Sequence, residues 1–371
     1  MQLRPGAAAL AAPLLALPAT LGASAAASLH PAASALVVTL VLLGLVSFLI
    51  LTGSISLFQD PLYCVFVAFS FVSAVDLLIA LEEDGIISGF SQLFVREADP
   101  HLRTAHGLLT CYWDGSVHYG LCLGLAAAAG SRKNYRSLGL FWLGSLLMSA
   151  VVFLLGNLIG KYSPELSPSF LLNLPFLLLL TWAGRRLLQQ PRALPSLSPE
   201  EVPGGSRGSR GDLGGISGVP AIPCPVPPVP PQVVLDCPAD SCFDYTYLHE
   251  PYLRDPVGYP KVQMLILLFY LLPFLLLAIH GLALPGCCCL PDCSLLCAGA
   301  VAQAQFAHLG SSLHSRTPFP YQTPDEVLGS FLVSNALYAL CPGLLALRCL
   351  RSPAFFLPRA RPGLRPEKKH Q

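Results

Sequence analysis

This sequence has little charge. Asp, Glu, Lys and Arg supply 12% of its 371 residues, about half the share of a typical soluble domain. Twenty-two basic and 21 acidic residues leave a formal net charge of +1, which gives no basic footprint for nucleic acid. No Asn-x-Ser/Thr glycosylation site, P-loop or dinucleotide-binding glycine fingerprint is present. The Gly-x-Ser-x-Gly string at 204–208 falls in a Gly/Ser-rich low-complexity stretch with no flanking strand, so it makes no serine-nucleophile elbow. Nucleotide chemistry and serine-hydrolase chemistry therefore have no support, and no cofactor is expected. What fills the chain instead is apolar: 53% of the residues are hydrophobic and the mean hydropathy is +0.60. Most of the 13 cysteines lie in or beside these apolar runs, where Cys behaves as a small hydrophobe.

Windows of about 20 apolar residues, the length that crosses a bilayer, fall at 7–29, 33–52, 62–82, 107–129, 138–160, 169–188, 262–284, 294–313 and 328–350. They predict an all-α fold, a polytopic membrane helix bundle of about nine or ten transmembrane helices. The first window has two readings, a membrane span or a signal peptide, because a basic start and an A-S-A cleavage-like end flank it. Basic clusters orient the chain. Arg132, Lys133 and Arg136 follow the fourth window and Arg185 and Arg186 the sixth, and both want the cytosol. The basic tail after Leu350 wants it too, yet only three windows separate it from Arg186. One more crossing is needed where 189–236 supplies a Gly/Ser-rich and then Pro-rich coil. Its prolines at 220, 223, 225, 227, 228, 230 and 231 exclude a membrane helix.

The chain also repeats itself. "DPHLR" at 99–103 precedes the fourth window and "EPYLR" at 250–254 the seventh, and each is followed by a Gly-led helix exit ("GNLIGKYS", "GSSLHSRT") and a last helix with Asn and Pro. In the first copy the helix at 62–82 precedes "DPHLR"; in the second the coil occupies that place. Repeat and charge parity point to the same missing helix.

"DPLYCVFVAFSFVSAVDLLIALEEDG", "TCYWDGSVHY", "GNLIGKYSPE", "VVLDCP", "EPYLRDPVGYPKVQML", "QAQFAHLGSSLHSRTPF" and "KKHQ" closely resemble the transmembrane 6 superfamily, across nearly everything but the first 30 residues and 195–232. The resemblance implies two tandem EXPERA domains, a fold shared with the sterol isomerase emopamil-binding protein and the sigma-2 receptor. It places N-terminal transmembrane segments at 1–57, EXPERA domain 1 at 61–187, the low-complexity linker at 188–232, EXPERA domain 2, short of its first helix, at 217–351, and a basic cytosolic tail at 352–371. It further implies a multi-pass protein of the endoplasmic reticulum and the ER–Golgi intermediate compartment that regulates lipid metabolism. Such a protein would promote lipidation and secretion of triglyceride-rich lipoproteins and limit lipid-droplet content. Its partners would be membrane lipids or sterol, and apolipoprotein or lipid-synthesis and export proteins. A sterol Δ8–Δ7 isomerase and an apolipoprotein-interaction scaffold without a pocket are the alternatives.

Several polar residues sit inside these windows. Asp76 lies in the third, Asp114 and His118 share one helical face of the fourth, and Trp113 and Tyr112 lie beside that face. Such groups either tie helices together by hydrogen bonds or line an interior cavity. Asp76, Trp113, Asp114 and His118 are the ligand-binding candidates of the first half. Asn335 and Tyr338 are those of the second, in an Asn-Ala-Leu-Tyr…Pro-Gly pattern that resembles the isomerase's. If the protein is an isomerase, Asp76, Asp114 and His118 are the proton-transfer candidates; Ala80 stands where the isomerase has a second polar group. Glu82 and Glu83 read as a solvated loop, and Gln303, Gln305 and His308 as cavity-lining or interhelical groups. "GCCCLPDCSLLC" lacks the second ligand pair of a zinc site, so no metal is expected. Cys237 and Cys242 could form a lumenal disulfide. Lys368 and Lys369, fourth and third from the end, resemble a dilysine retrieval signal.

Overall fold

The computed structural model describes residues 13–29, 44, 60–89, 100–163, 173–192 and 243–356. The window at 33–52 apart from residue 44, residues 193–242 with Cys237 and Cys242, and Lys368 and Lys369 lie outside them. Within them the chain is a helix bundle: α1 (Ala16–Leu29), α2 (Leu62–Glu83), α3 (105–130), α4 (Arg136–Ile159), α5 (Asn173–Gln189), α6 (Tyr259–Ala283), α7 (Leu290–Leu313) and α8 (Leu328–Arg351). Every predicted window except 33–52 coincides with one of these helices over its described residues. Four helical stretches, Leu62–Glu83, Arg136–Ile159, Tyr259–Ala283 and Phe319–Arg351, are long and apolar enough to cross a bilayer by length and composition alone. A polytopic helical membrane protein follows, since a helix satisfies its backbone polar groups internally where no water can.

The repeat is visible in the backbone. A four-residue 3₁₀ turn, Pro100–Arg103 or Pro251–Arg254, precedes α3 and α6. Each of these helices widens midway into a five-residue π-turn, Asp114–His118 in α3 and Leu267–Leu271 in α6. In α6 the widening precedes Pro273, which has no N–H to give to the preceding turn. α4 and α7 then follow at an identical 24 residues.

These two long helices cross at the centre of the bundle. A Cβ added at Gly144 of α4 would stand 2.0 Å from the Leu296 carbonyl oxygen, and one at Gly299 of α7 2.0 Å from the Phe141 carbonyl oxygen. The contact is reciprocal, with glycine from each copy facing the backbone of the other. Small residues at a crossing let membrane helices approach closely enough for van der Waals packing to hold them. Around it lies an aromatic cluster in which Trp142 meets Phe66 and Phe69 edge-on, at 5.3 and 5.2 Å between ring centres.

Ion pairs tie the two halves at both ends. At one, buried Arg136 donates to the Leu187 and Leu188 carbonyls and to Asp292 at 2.8 Å, and Asp292 also accepts from Arg192 at 2.6 Å. At the other, Arg316 donates to the Glu83 carboxylate at 3.1 Å and to its carbonyl, while the Tyr112 hydroxyl donates to Asp84 at 2.6 Å. Glu82, also expected in a solvated loop, is buried and accepts the Gly89 N–H at 2.9 Å. The loop folds back onto the helix end, so both glutamates are engaged.

α3 ends in a Schellman motif: the Lys133 N–H bonds the Ala128 carbonyl and the Arg132 N–H the Ala129 carbonyl. Arg132 takes the left-handed position of that motif, with φ 53°. Glycine usually stands there, and a side chain costs about 1–2 kcal/mol.

Candidate functional site

α2 and α3 meet where Gly115 lies against Leu77; a Cβ at Gly115 would stand 2.5 Å from the Leu77 Cβ. Their neighbours Asp76 and Asp114 are thereby brought to one cavity of about 250 Å³, which His101, His106, Thr110 and Ser149 also line. Behind Asp114 runs a buried hydrogen-bonded chain. The Trp113 indole N–H, which can only donate, reaches Ser145 Oγ at 2.9 Å and His118 Nε2 at 3.2 Å. His118 Nε2 lies 2.7 Å from Ser145 Oγ, and Nδ1 lies 2.5 Å from Asp114 Oδ1. An Nε2 that accepts leaves the ring proton on Nδ1, which donates to Asp114. The chain therefore has one direction, Trp113 and Ser145 to His118 to Asp114, and it ends on a carboxylate facing the cavity.

Of the residues singled out in the first half, Asp76 and Asp114 line the cavity and Trp113 and His118 do not. His118 is 1% exposed and bonded through both ring nitrogens. Trp113 packs beside Phe306, 5.2 Å between rings, and Tyr112 points to Asp84. Asp114–His118 form a π-turn, whose i→i+5 hydrogen bonds widen the helix and rotate the residues beyond Asp114 relative to a regular helix. Ala80 is fully buried beside Leu108 and Cys111, so no second polar group follows Asp76 there. His106 and Thr110 escaped the sequence reading. The Nδ1 of His106, whose ring stacks on Tyr259 at 4.7 Å, has no hydrogen-bond partner among the described residues, nor has Thr110 Oγ1.

The second half holds a larger cavity of about 360 Å³. Its walls come from α6, with Leu267, Leu268, Leu271, Leu272 and Leu275, and its polar end from Glu250, Gln263, Gln305, His308 and Asn335. Tyr338, 55% exposed, stands at the mouth. Asn335 Nδ2 donates to Glu250 Oε1 at 3.1 Å and to the Phe331 carbonyl at 3.0 Å, and His308 Nε2 lies 3.3 Å from Glu250 Oε2. Gln263 donates to the Ala304 carbonyl at 2.6 Å. Gln305 Oε1, buried, has no hydrogen-bond partner among the described residues. Gln303, on the same helix, is buried and does not line this cavity. Glu250 was legible only as the acid that opens "EPYLR"; its place ahead of α6 hid it among loop residues. Cys289 and Cys293 pack into an apolar cluster with Leu290 and Cys297.

Burial pushes the Glu250 carboxyl up, but hydrogen bonds and charge from His308, with hydrogen bonds from Asn335 and Tyr245, hold it below the ordinary glutamate range. A depressed folded-state pKa means that the unfolded chain binds more protons, so stability rises with pH through that range. The contribution is complete above the ordinary glutamate range and is lost as pH falls below it and through the lower folded-state value. Glu250→Gln should therefore melt below the parent at neutral pH, with the gap closing on acidification. A gap that persists unchanged into acid would assign the loss to packing instead of charge.

A family model described as "Transmembrane 6 superfamily member 2-like, transmembrane domain" matches residues 15–198. Transmembrane 6 superfamily member 2 of Mus musculus is 52% identical over 306 residues, covering 82% of this chain and 81% of that one. The Homo sapiens protein of that name is 51% identical over 300 residues (80% of each chain), and the Rattus norvegicus protein 51% over 318 (84% of each). No solved structure matches the chain. With half of its residues identical over four fifths of its length, the chain belongs to the transmembrane 6 superfamily, in the member 2 group.

Proposed function

We propose that this protein regulates lipid export from the endoplasmic-reticulum membrane, promoting lipidation and secretion of triglyceride-rich lipoproteins and limiting lipid-droplet content by holding a lipid or sterol within the bundle. The observation that carries this reading is the second cavity. Its volume falls at the lower end of small-molecule sites, about 300–1,000 Å³. Its leucine wall suits an acyl chain or ring system, and a few convergent polar groups at one end can orient a polar head. The two copies are read as two EXPERA-type domains, 61–187 and 217–351, the second without its first helix. Lys368 and Lys369 are read as the retrieval signal that returns the protein from the ER–Golgi intermediate compartment.

The isomerase reading is the weaker one. It needs an acid and a base both within reach of substrate, and His118 is enclosed by Ser145 and Asp114. The test is to fill the second cavity with Leu268→Trp. Full-length parent and variant are expressed at matched abundance in hepatic cells, and lipid that co-purifies with each is quantified. The variant should lose co-purifying lipid, secrete several-fold less triglyceride and enlarge lipid droplets. Normal secretion by a variant stripped of lipid would favour a scaffold that acts through protein contacts alone.

A further inference from the structure

A third pocket, of about 520 Å³, opens at the Arg136–Asp292 end of the bundle. It is separate from both cavities, and neither the family resemblance nor the proposed lipid chamber accounts for it. We propose that it binds the phosphate of an anionic phospholipid headgroup, with Arg132 and Lys133 as the phosphate-contacting cations.

The pocket lies between the end of α3, the start of α4, the entry to α2 and the exit of α5. Its lining includes Arg132, Lys133, Asn134, Tyr135, Asp60 and Gln190. Asn134 fixes the α3–α4 turn on both sides, donating to the Pro191 carbonyl at 3.1 Å and accepting the Arg136 N–H at 3.0 Å. Asp60, the acid among these residues, is committed to other donors: it accepts the Leu62 N–H at 3.1 Å and the Tyr135 hydroxyl. Among the described residues no ion pair neutralises Lys133.

Arg132 is the independent sign. Its left-handed φ of 53° is where a Schellman motif takes glycine most readily. A guanidinium kept there, against the conformational preference, points to a role for its charge. Arginine matches phosphate oxygens through its planar fork and lysine acts as a point charge. The level in the membrane fits as well. This end carries Arg136, Arg185, Arg186 and Arg192 as well, the composition of a cytosolic face. Basic pockets between helix ends on that side meet anionic headgroups.

The test uses the purified full-length chain in detergent, with native mass spectrometry reading adducts of dioctanoyl phosphatidate, dioctanoyl phosphatidylcholine and inorganic phosphate. Phosphatidate should bind in preference to phosphatidylcholine. The double variant Arg132→Gly/Lys133→Gln should weaken phosphatidate binding roughly tenfold or more. Its melting temperature should hold or rise, because glycine relieves the left-handed position, so lost binding cannot be read as lost fold. Lys133→Arg should retain binding. Phosphatidate binding undiminished in the double variant would overturn the site. Inorganic phosphate displacing phosphatidate at equal concentration would overturn the lipid as the source and leave a soluble phosphate.

Discussion

Gly144→Leu and Gly299→Leu are each expected to cut steady-state abundance several-fold and to lower the melting temperature of whatever protein survives. Overpacking between side chains costs about 1–3 kcal/mol where neighbours can rotate away. Here the obstacle is a backbone carbonyl 2.0 Å from the new Cβ, and a carbonyl in the middle of a helix cannot rotate. α4 and α7 must separate, and contacts along the length of both are lost with the one at the glycine. A loss of even 1–2 kcal/mol changes cellular abundance several-fold. Because the two glycines serve one crossing, the double variant should fall well short of the sum of the singles. Gly120→Leu and Gly343→Leu supply the controls, since a Cβ at either position meets nothing within 4 Å. If Gly144→Leu accumulates like Gly120→Leu, the central crossing is not what holds the halves together. The same crossing sets the first site, because Ser145, the residue after Gly144, receives the Trp113 N–H.

The helices and the repeat were legible because their signals are local. Hydropathy over 20 residues needs no partner, and "DPHLR" and "EPYLR" mark matching 3₁₀ turns that structure and sequence share. The facing of polar residues was less legible. A regular helix puts His118 four residues beyond Asp114 on the same face, and that pair does form at 2.5 Å. The π-turn between them could not be read from "WDGSVHY", nor could the Ser145 and Phe306 contacts that hold Trp113 away from the cavity wall. Long-range partners were hidden altogether. Arg136 finds Asp292 across 156 residues, and Arg316 finds Glu83 across 233. Nothing in the neighbourhood of either acid announces a distant arginine.

The carboxyl at Asp114 can be assigned to orientation, to proton transfer or to helix tethering by three substitutions read together. Asp114→Asn keeps an oxygen that can accept the His118 Nδ1–H, so abundance should hold. Lipid binding should hold too if the group only orients a polar head. Asp114→Leu leaves the Nδ1–H of a histidine 1% exposed without an acceptor. That costs about 1–3 kcal/mol, so this variant should lose abundance whatever the cavity does. The informative variant is therefore Asp114→Leu/His118→Leu. Replacing both partners of a buried hydrogen bond is far less damaging than removing one, and the Trp113 N–H still has Ser145 Oγ at 2.9 Å. Abundance should recover, while lipid that co-purifies with the full-length protein should stay reduced, and triglyceride secretion should stay low. Failure of Asp114→Asn at normal abundance, together with isomerase turnover by the parent, would instead assign the proton to catalysis. Normal secretion by the double leucine variant would reduce Asp114 to the end of the hydrogen-bonded chain that joins α3 to Ser145 of α4, with no ligand to orient.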